Sequence, residues 1–306
     1  MGSSDDKTIF SLNTAVDDPN LERKRELTDV VQYYEGQPLP SVIEISESGT
    51  CNRVCSFCPR SAPNFEDIKE FISFEMIDKL ARQLADVNYQ GLILFSGFVE
   101  PLLDKNIFSH IKSLRTYLPS ARIEIVSNGD PLTLRVLNKL EDSGVDRILL
   151  SLYDGPHQVE EVNAKVADSI LSPDKIFIRE RWFSADKNFG ISLSNRAGMM
   201  ENAEFVINNL SESLTSPCFY PAHTFFLNYT GEVLMCAHDW GMKQVLGNFN
   251  DQSFLDIWFG EEFRNVRSKL LTGNRNLSPC DVCNVKGTRM GKKHALQWMK
   301  ITKEKK

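Results

Sequence analysis

No run of this chain approaches the roughly 20 consecutive apolar residues that a helix needs to cross a bilayer, so no membrane-spanning helix is expected. Residues 1–7 are polar, and a secretory signal needs an apolar stretch behind its basic start. Positive charge is not in excess either. The 35 Lys and Arg face 41 Asp and Glu, for a formal charge of −6. Sequence-independent nucleic-acid binding depends on clustered positive charge, so no nucleic-acid partner is expected. Internal repeats and low-complexity tracts are missing as well. These absences point to a cytoplasmic protein with no membrane partner. In that compartment disulfides are rare.

What the chain does have is seven cysteines in two sets: Cys51, Cys55 and Cys58, then Cys218, Cys236, Cys280 and Cys283. Closely spaced thiols in a reducing compartment are most often metal ligands. The rest of the sequence divides around them. Residues 1–40 form a polar N-terminal extension. Residues 41–213 alternate short apolar runs (Val42 to Ile45, Leu92 to Phe95, Ile123 to Val126, Ile148 to Leu150, Ile176 to Ile178) with segments of helical periodicity. That alternation predicts an α/β fold with a parallel sheet, and a sixth strand is expected over residues 190–194. Residues 214–290 change texture: a hairpin around Thr230 and Gly231, then helices, make a smaller C-terminal module. Residues 291–306 form a basic tail, expected to be a solvated helix.

The first three cysteines follow the first predicted strand at spacings of four and three residues, so a tight loop can aim three thiolates at one centre. Three thiolates on a four-iron cluster leave one iron open to a small molecule, although thiolates also suit zinc. The motif, with Phe57 before the last cysteine, resembles the signature of the radical S-adenosylmethionine (radical SAM) enzymes. Other segments carry the resemblance further. Ser96 to Leu103, containing Gly97 and Glu100, is similar to the family's Gly-Gly-Glu stretch, with Val99 where glycine is common. Ser127 and Asn128 end the third strand, Ser151 the fourth, and Arg179 and Arg181 the fifth.

The resemblance implies a partial (β/α)6 TIM-like barrel. It also implies that S-adenosyl-L-methionine binds the open iron, with Phe57, Gly97, Glu100, Ser127, Asn128, Ser151, Arg179 and Arg181 as cofactor contacts. Four thiolates at the C-terminal end fully ligate either a zinc ion or a cluster. Their surroundings, from Asn228 to Cys236 and on to Cys283, resemble the family's SPASM domain in its shorter, twitch-type form. Two [4Fe-4S] clusters are therefore implied, together with an external electron donor such as flavodoxin or ferredoxin.

Relatives with this plan dehydrogenate or epimerise sugars and aminocyclitols, and others modify peptides. The family's epimerases resemble one another in returning hydrogen from a spare thiol, but here the two sets use all seven. Dehydrogenation needs no donor, because the auxiliary cluster can accept the leftover electron. Oxidation of a sugar or cyclitol alcohol is therefore the expected reaction; epimerisation and diol dehydration are the alternatives. A peptide-modifying role is less expected, since the residues before Cys51 are too few for a leader-binding domain. Arg196 is a candidate substrate contact and Tyr153 a candidate hydrogen donor. His157, Glu160 and Glu161 are weaker candidates for a base.

Overall fold

The computed structural model describes residues 10–12, 19–182 and 191–304. Strand β1 (Phe10–Leu12), helix α1 (Pro19–Thr28) and a small hairpin, β2 (Tyr33–Tyr34) with β3 (Gln37–Pro38), lead to β4 (Val42–Ser46). Next, β5 (Ser48–Gly49) pairs antiparallel with β6 (Ile68–Phe71), so the three-cysteine loop is held at both ends. Alternation then runs α2 (Phe74–Asp86), β7 (Leu92–Phe95), α3 (Ile107–Tyr117), β8 (Arg122–Ser127), α4 (Leu134–Ser143), β9 (Arg147–Leu152), α5 (Pro156–Ala167) and β10 (Ile176–Glu180).

Strands β4, β7, β8, β9 and β10 pair in that order and all in parallel. A parallel sheet is covered on both faces, hence its nearly unbroken apolar strands. Ile43, Ile45, Ile93 and Phe95 join the core under the helices, whereas Val42, Leu92 and Leu94 on the opposite face pack with Leu27 of α1 and Val126. The N-terminal extension thus helps to fill the barrel. Helix α2 buries Ile77, Leu80, Ala81 and Leu84, one face at helical spacing, and starts at Ser73, whose side chain accepts the Met76 N–H.

The sixth strand takes a different partner from the one its position suggests. Gly190 lies outside the described residues, and β11 (Ile191–Leu193) pairs in parallel with β1 in a separate two-stranded sheet. Periodicity marks a strand but not its neighbour, and here the N-terminal extension supplies the pairing edge. The main sheet grows on its other side instead. After α6 (Tyr220–His223), β12 (Thr224–Asn228) pairs in parallel with β4, and β13 (Glu232–Leu234) and β14 (Val245–Asn248) continue antiparallel. All five residues of β12 are buried. The fold is a TIM-like partial barrel whose sheet runs on into the C-terminal module.

Helices α7 (Phe254–Trp258), α8 (Glu261–Leu271) and α9 (Lys292–Glu304) complete the chain. The basic segment 291–306 is not solvated all round: α9 buries His294, Ala295 and Trp298 along one face. The Trp298 indole donates to the Ala222 carbonyl at 3.1 Å. The Arg267 guanidinium lies 4.1 Å from the Trp298 ring and 3.9 Å from that of Trp258. Charge dominated the sequence reading here, while the apolar residues at three-to-four spacing were the better signal. Trp298→Ala is expected to cost about 3–5 kcal/mol, as for other buried tryptophans. Urea unfolding checks this, and a loss below about 1 kcal/mol would mean that α9 is peripheral to the core.

Candidate functional site

The carboxyl ends of the parallel strands open onto one cavity of about 440 Å³. Cys51, Cys55, Cys58, Phe57, Gly97, Glu100, Ser127, Asn128, Ser151, Tyr153, Arg179, Arg181 and Arg196 all line it. All of these residues but Arg196 meet because they end or follow strands of one sheet; Arg196 comes from the segment after β11, which pairs with β1 in a separate sheet.

The three-cysteine loop is fastened by two arginines that the sequence reading did not single out. Arg53 donates to both carboxylate oxygens of Asp130, each at 2.6 Å, and to those of Asp154 at 3.0 and 2.6 Å. Planar guanidinium suits such paired contacts. They tie the loop to the ends of β8 and β9. Arg60, buried, donates to the carbonyls of Gly49 and Phe98 and pairs with Asp67. Nothing in the local sequence marks either arginine, because their partners lie far along the chain. Asp154 reads as a turn residue from sequence, and its pairing with Arg53 appears only in the fold.

Glu100 lies 1% exposed at the cavity wall. Its Oε1 accepts from the Ser127 hydroxyl at 2.8 Å and the Leu102 N–H at 3.1 Å, and its Oε2 from the Asn128 N–H at 2.7 Å. Burial pushes its carboxyl up to about 7, against the pull of these hydrogen bonds. Glu100 thus also locks the β7 loop to the end of β8, and Oε2 retains acceptor capacity. Gly97 has φ +102°, and a Cβ there would come within 2.8 Å of the Ser46 side chain, so this loop can cross β4 only with glycine. Asn128 donates to Asn52 at 2.8 Å and reaches the Cys51 sulfur at 3.9 Å. Arg179 donates to the Ser151 hydroxyl at 2.6 Å. Phe57 and Tyr153 lie ring to ring at 5.4 Å, and Phe98 packs on Trp240 at 4.7 Å.

The other four cysteines, each less than 9% exposed, line a second, small cavity with Pro221, Met235, Leu270 and Val285. A Cβ on Gly287 would sit on the Cys218 sulfur, so the chain can pass this thiol only as glycine. Arg275 also lines the cavity and is 2% exposed; it donates to the carbonyls of Ser216, Pro217, Val285 and Lys286. It fixes the segments that carry Cys218 and Cys283 and sets a positive charge beside the thiols. The sequence reading missed it, too.

Both thiol sets fit a metal centre. Burial, followed by the nearby thiols of Cys280, Cys218 and Cys283, pushes Cys236 well above the ordinary thiol range. In the first set burial, then Cys58, pushes Cys55 up to about 11. Such groups become thiolates only beside a strong positive charge, which a metal centre supplies.

The two cavities share a wall: Tyr220, His238 and Val285 line both. His238 sits between the Tyr220 hydroxyl at 3.0 Å and the Ser194 hydroxyl at 3.3 Å. The turn carrying Arg196 docks on the second thiol set. Asn195 donates to the Val282 carbonyl at 2.6 Å, and its own N–H donates to Asn284 at 2.9 Å. Arg196 and Ala197 have φ of 47° and 50°, a left-handed backbone that side chains rarely adopt and that clusters at functional sites. Arg196 Nε is buried without a partner among the described residues. Leu193 and Ser194 also line the cavity, and residues 183–190 before them lie outside the described residues. His157, Glu160 and Glu161 are exposed on α5, outside the cavity lining. Among the described residues, no helix is long and apolar enough to cross a membrane.

Residues 45–169 match the model of the Radical SAM superfamily, and residues 218–284 that of SPASM, an iron-sulfur cluster-binding domain. The S-adenosyl-L-methionine-dependent 2-deoxy-scyllo-inosamine dehydrogenase of Niallia circulans is 31% identical over 245 residues, covering 80% of this chain and 92% of that protein. GTP 3′,8-cyclase of Mesorhizobium japonicum is 29% identical over 163 residues, 52% of this chain and 44% of that enzyme. A crystal structure of BtrN in complex with AdoMet and 2-DOIA superposes with a TM-score of 0.70 at 28% identity, covering 85% of this chain and 98% of that one.

Proposed function

Because the chain belongs to the radical SAM family, we propose that it oxidises a secondary alcohol of a sugar-like or aminocyclitol substrate to a ketone. It is an oxidoreductase whose cofactors are S-adenosyl-L-methionine and two [4Fe-4S] clusters. In this reading Cys51, Cys55 and Cys58 hold the cluster that binds S-adenosylmethionine, and Cys218, Cys236, Cys280 and Cys283 hold the other. When bound, the cofactors supply hydrogen-atom abstraction at the first site and a one-electron acceptor at the second.

The chain's own groups orient the reactants. Glu100 offers the free capacity of Oε2 to the cofactor's amino group. Arg179 and Arg181 face its carboxylate, and Phe57 and Tyr153 form an aromatic wall. Phe98 and Trp240 exclude water. Arg196 holds the substrate hydroxyl and favours loss of its proton through its fixed charge. Burial pushes the Tyr153 phenol up, so it stays a neutral donor. An external donor such as flavodoxin or ferredoxin delivers electrons, and the protein works in the cytoplasm.

The single observation carrying this reading is the wall that the two cavities share, which sets an acceptor beside the reaction chamber. Epimerisation is disfavoured because no cysteine remains outside the two sets. The test uses 2-deoxy-scyllo-inosamine and related alcohols deuterated at the carbinol carbon. Oxidation transfers deuterium to 5′-deoxyadenosine and yields a ketone lacking two hydrogens. A product of unchanged hydrogen count carrying one solvent hydrogen at carbon, or a product short of one water, sinks the proposal.

A further inference from the structure

Outside the lining of the cavity lies a group of buried polar side chains that the reaction does not use. Glu47 follows β4, Asp104 follows the turn after β7, and His110 stands in α3. They are 0%, 3% and 0% exposed. One ligand atom from each lies within 4.8 Å of the other two. Both carboxylate oxygens of Glu47, Oδ2 of Asp104 and both ring nitrogens of His110 lack a hydrogen-bond partner among the described residues. Buried polar atoms are rarely left so, and each such group needs a reason. Five in one place need a common one.

The three groups are held in position. Asp104 Oδ1 accepts the Asn106 N–H at 2.8 Å, which leaves Oδ2 for the cluster. The His110 ring stacks on Phe74 with the planes 25° apart. His110 Nδ1 and Asp104 Oδ2 are 3.5 Å apart. That is long for a hydrogen bond, but close to the separation of about 3.0–3.4 Å between two ligands of one metal ion.

We propose that Glu47, Asp104 and His110 form a site for one divalent first-row metal ion of the zinc kind. Two carboxylates and one neutral imidazole balance a double positive charge and satisfy the orphaned atoms. The ion would fasten the end of β4, from which the three-cysteine loop departs, to the turn that carries Glu100 and to α3. Its role is to hold these segments together, separate from the cysteine positions.

Zinc alone is the probe, because a site with these ligands binds zinc at least as well as manganese or ferrous iron. The full chain, with its clusters assembled anaerobically, receives one equivalent of Zn²⁺ and is desalted. Retained metal is counted by mass spectrometry, and its ligands are read by zinc-edge X-ray absorption. The expected result is about one retained zinc per chain, with a nitrogen and oxygen shell at about 2.0–2.1 Å. Glu47→Gln, Asp104→Asn and His110→Gln should each weaken retention at least about tenfold while leaving iron content unchanged. Should a variant fail to fold, the wild-type spectrum still decides. No retained zinc, a sulfur shell at about 2.3 Å, or folded variants that hold zinc as tightly as the wild type would each overturn the site.

Discussion

Cys55→Ala abolishes cleavage of S-adenosylmethionine and leaves the second iron centre in place; this is the outcome expected from the geometry of the first cavity. Three ligands are the minimum that holds a four-iron cluster with one iron open, and among the described residues no other cysteine lines that cavity. Losing one thiol therefore removes the centre, not merely its affinity for cofactor. The loop should stay folded, because Arg53 remains bound to Asp130 and Asp154. Loss of activity is expected to exceed about a thousandfold, measured as 5′-deoxyadenosine formed after reduction. Iron analysis should show about half of the metal remaining. Cleavage near the wild-type rate would mean that Cys55 is not a ligand.

Cys280→Ala produces the opposite split. Ketone formation should fall at least about a hundredfold, whereas cofactor cleavage persists without coupled product. The first cavity contributes nothing to holding Cys280, so its three thiols keep their centre. Cys280 is 7% exposed and its sulfur lies 3.7 Å from that of Met235, in the cavity it lines with the other three thiols. Stability should fall as well, since metal-binding energy at such a site is also folding energy. Melting temperature and the ratio of ketone to 5′-deoxyadenosine test both halves. An unchanged ratio would remove the acceptor role from the second set.

The strands and the strand-end residues were legible because local signals carried them. Apolar runs marked β4, β7, β8, β9 and β10, and the order of polar residues after those runs foretold who would meet in the cavity. Cysteine spacing did the same for the first thiol set. What stayed hidden depends on partners distant in sequence. Arg53 finds Asp130 and Asp154 only once β4, β8 and β9 are assembled in one sheet. Arg275 binds only backbone carbonyls, which leave no mark in sequence. The pairing of β11 with β1 joins segments separated by most of the barrel. Glu47, Asp104 and His110 each read as an ordinary polar residue at the edge of an element. Their shared burial is a property of the fold alone.

The pairing of β12 with β4 has a practical consequence for anyone who would divide this protein. Without residues 224–228, β4 would present a bare row of amide and carbonyl groups, flanked by side chains that are buried on both faces. Such an edge invites another chain to add to it. A truncated barrel is therefore an aggregation hazard rather than a minimal enzyme, and swapping the C-terminal module between relatives would have to preserve the β4–β12 register. The same ladder makes the spacing between the two thiol sets a property of one continuous sheet. A mutation that loosens the sheet at this seam would therefore disturb both halves of the chemistry at once.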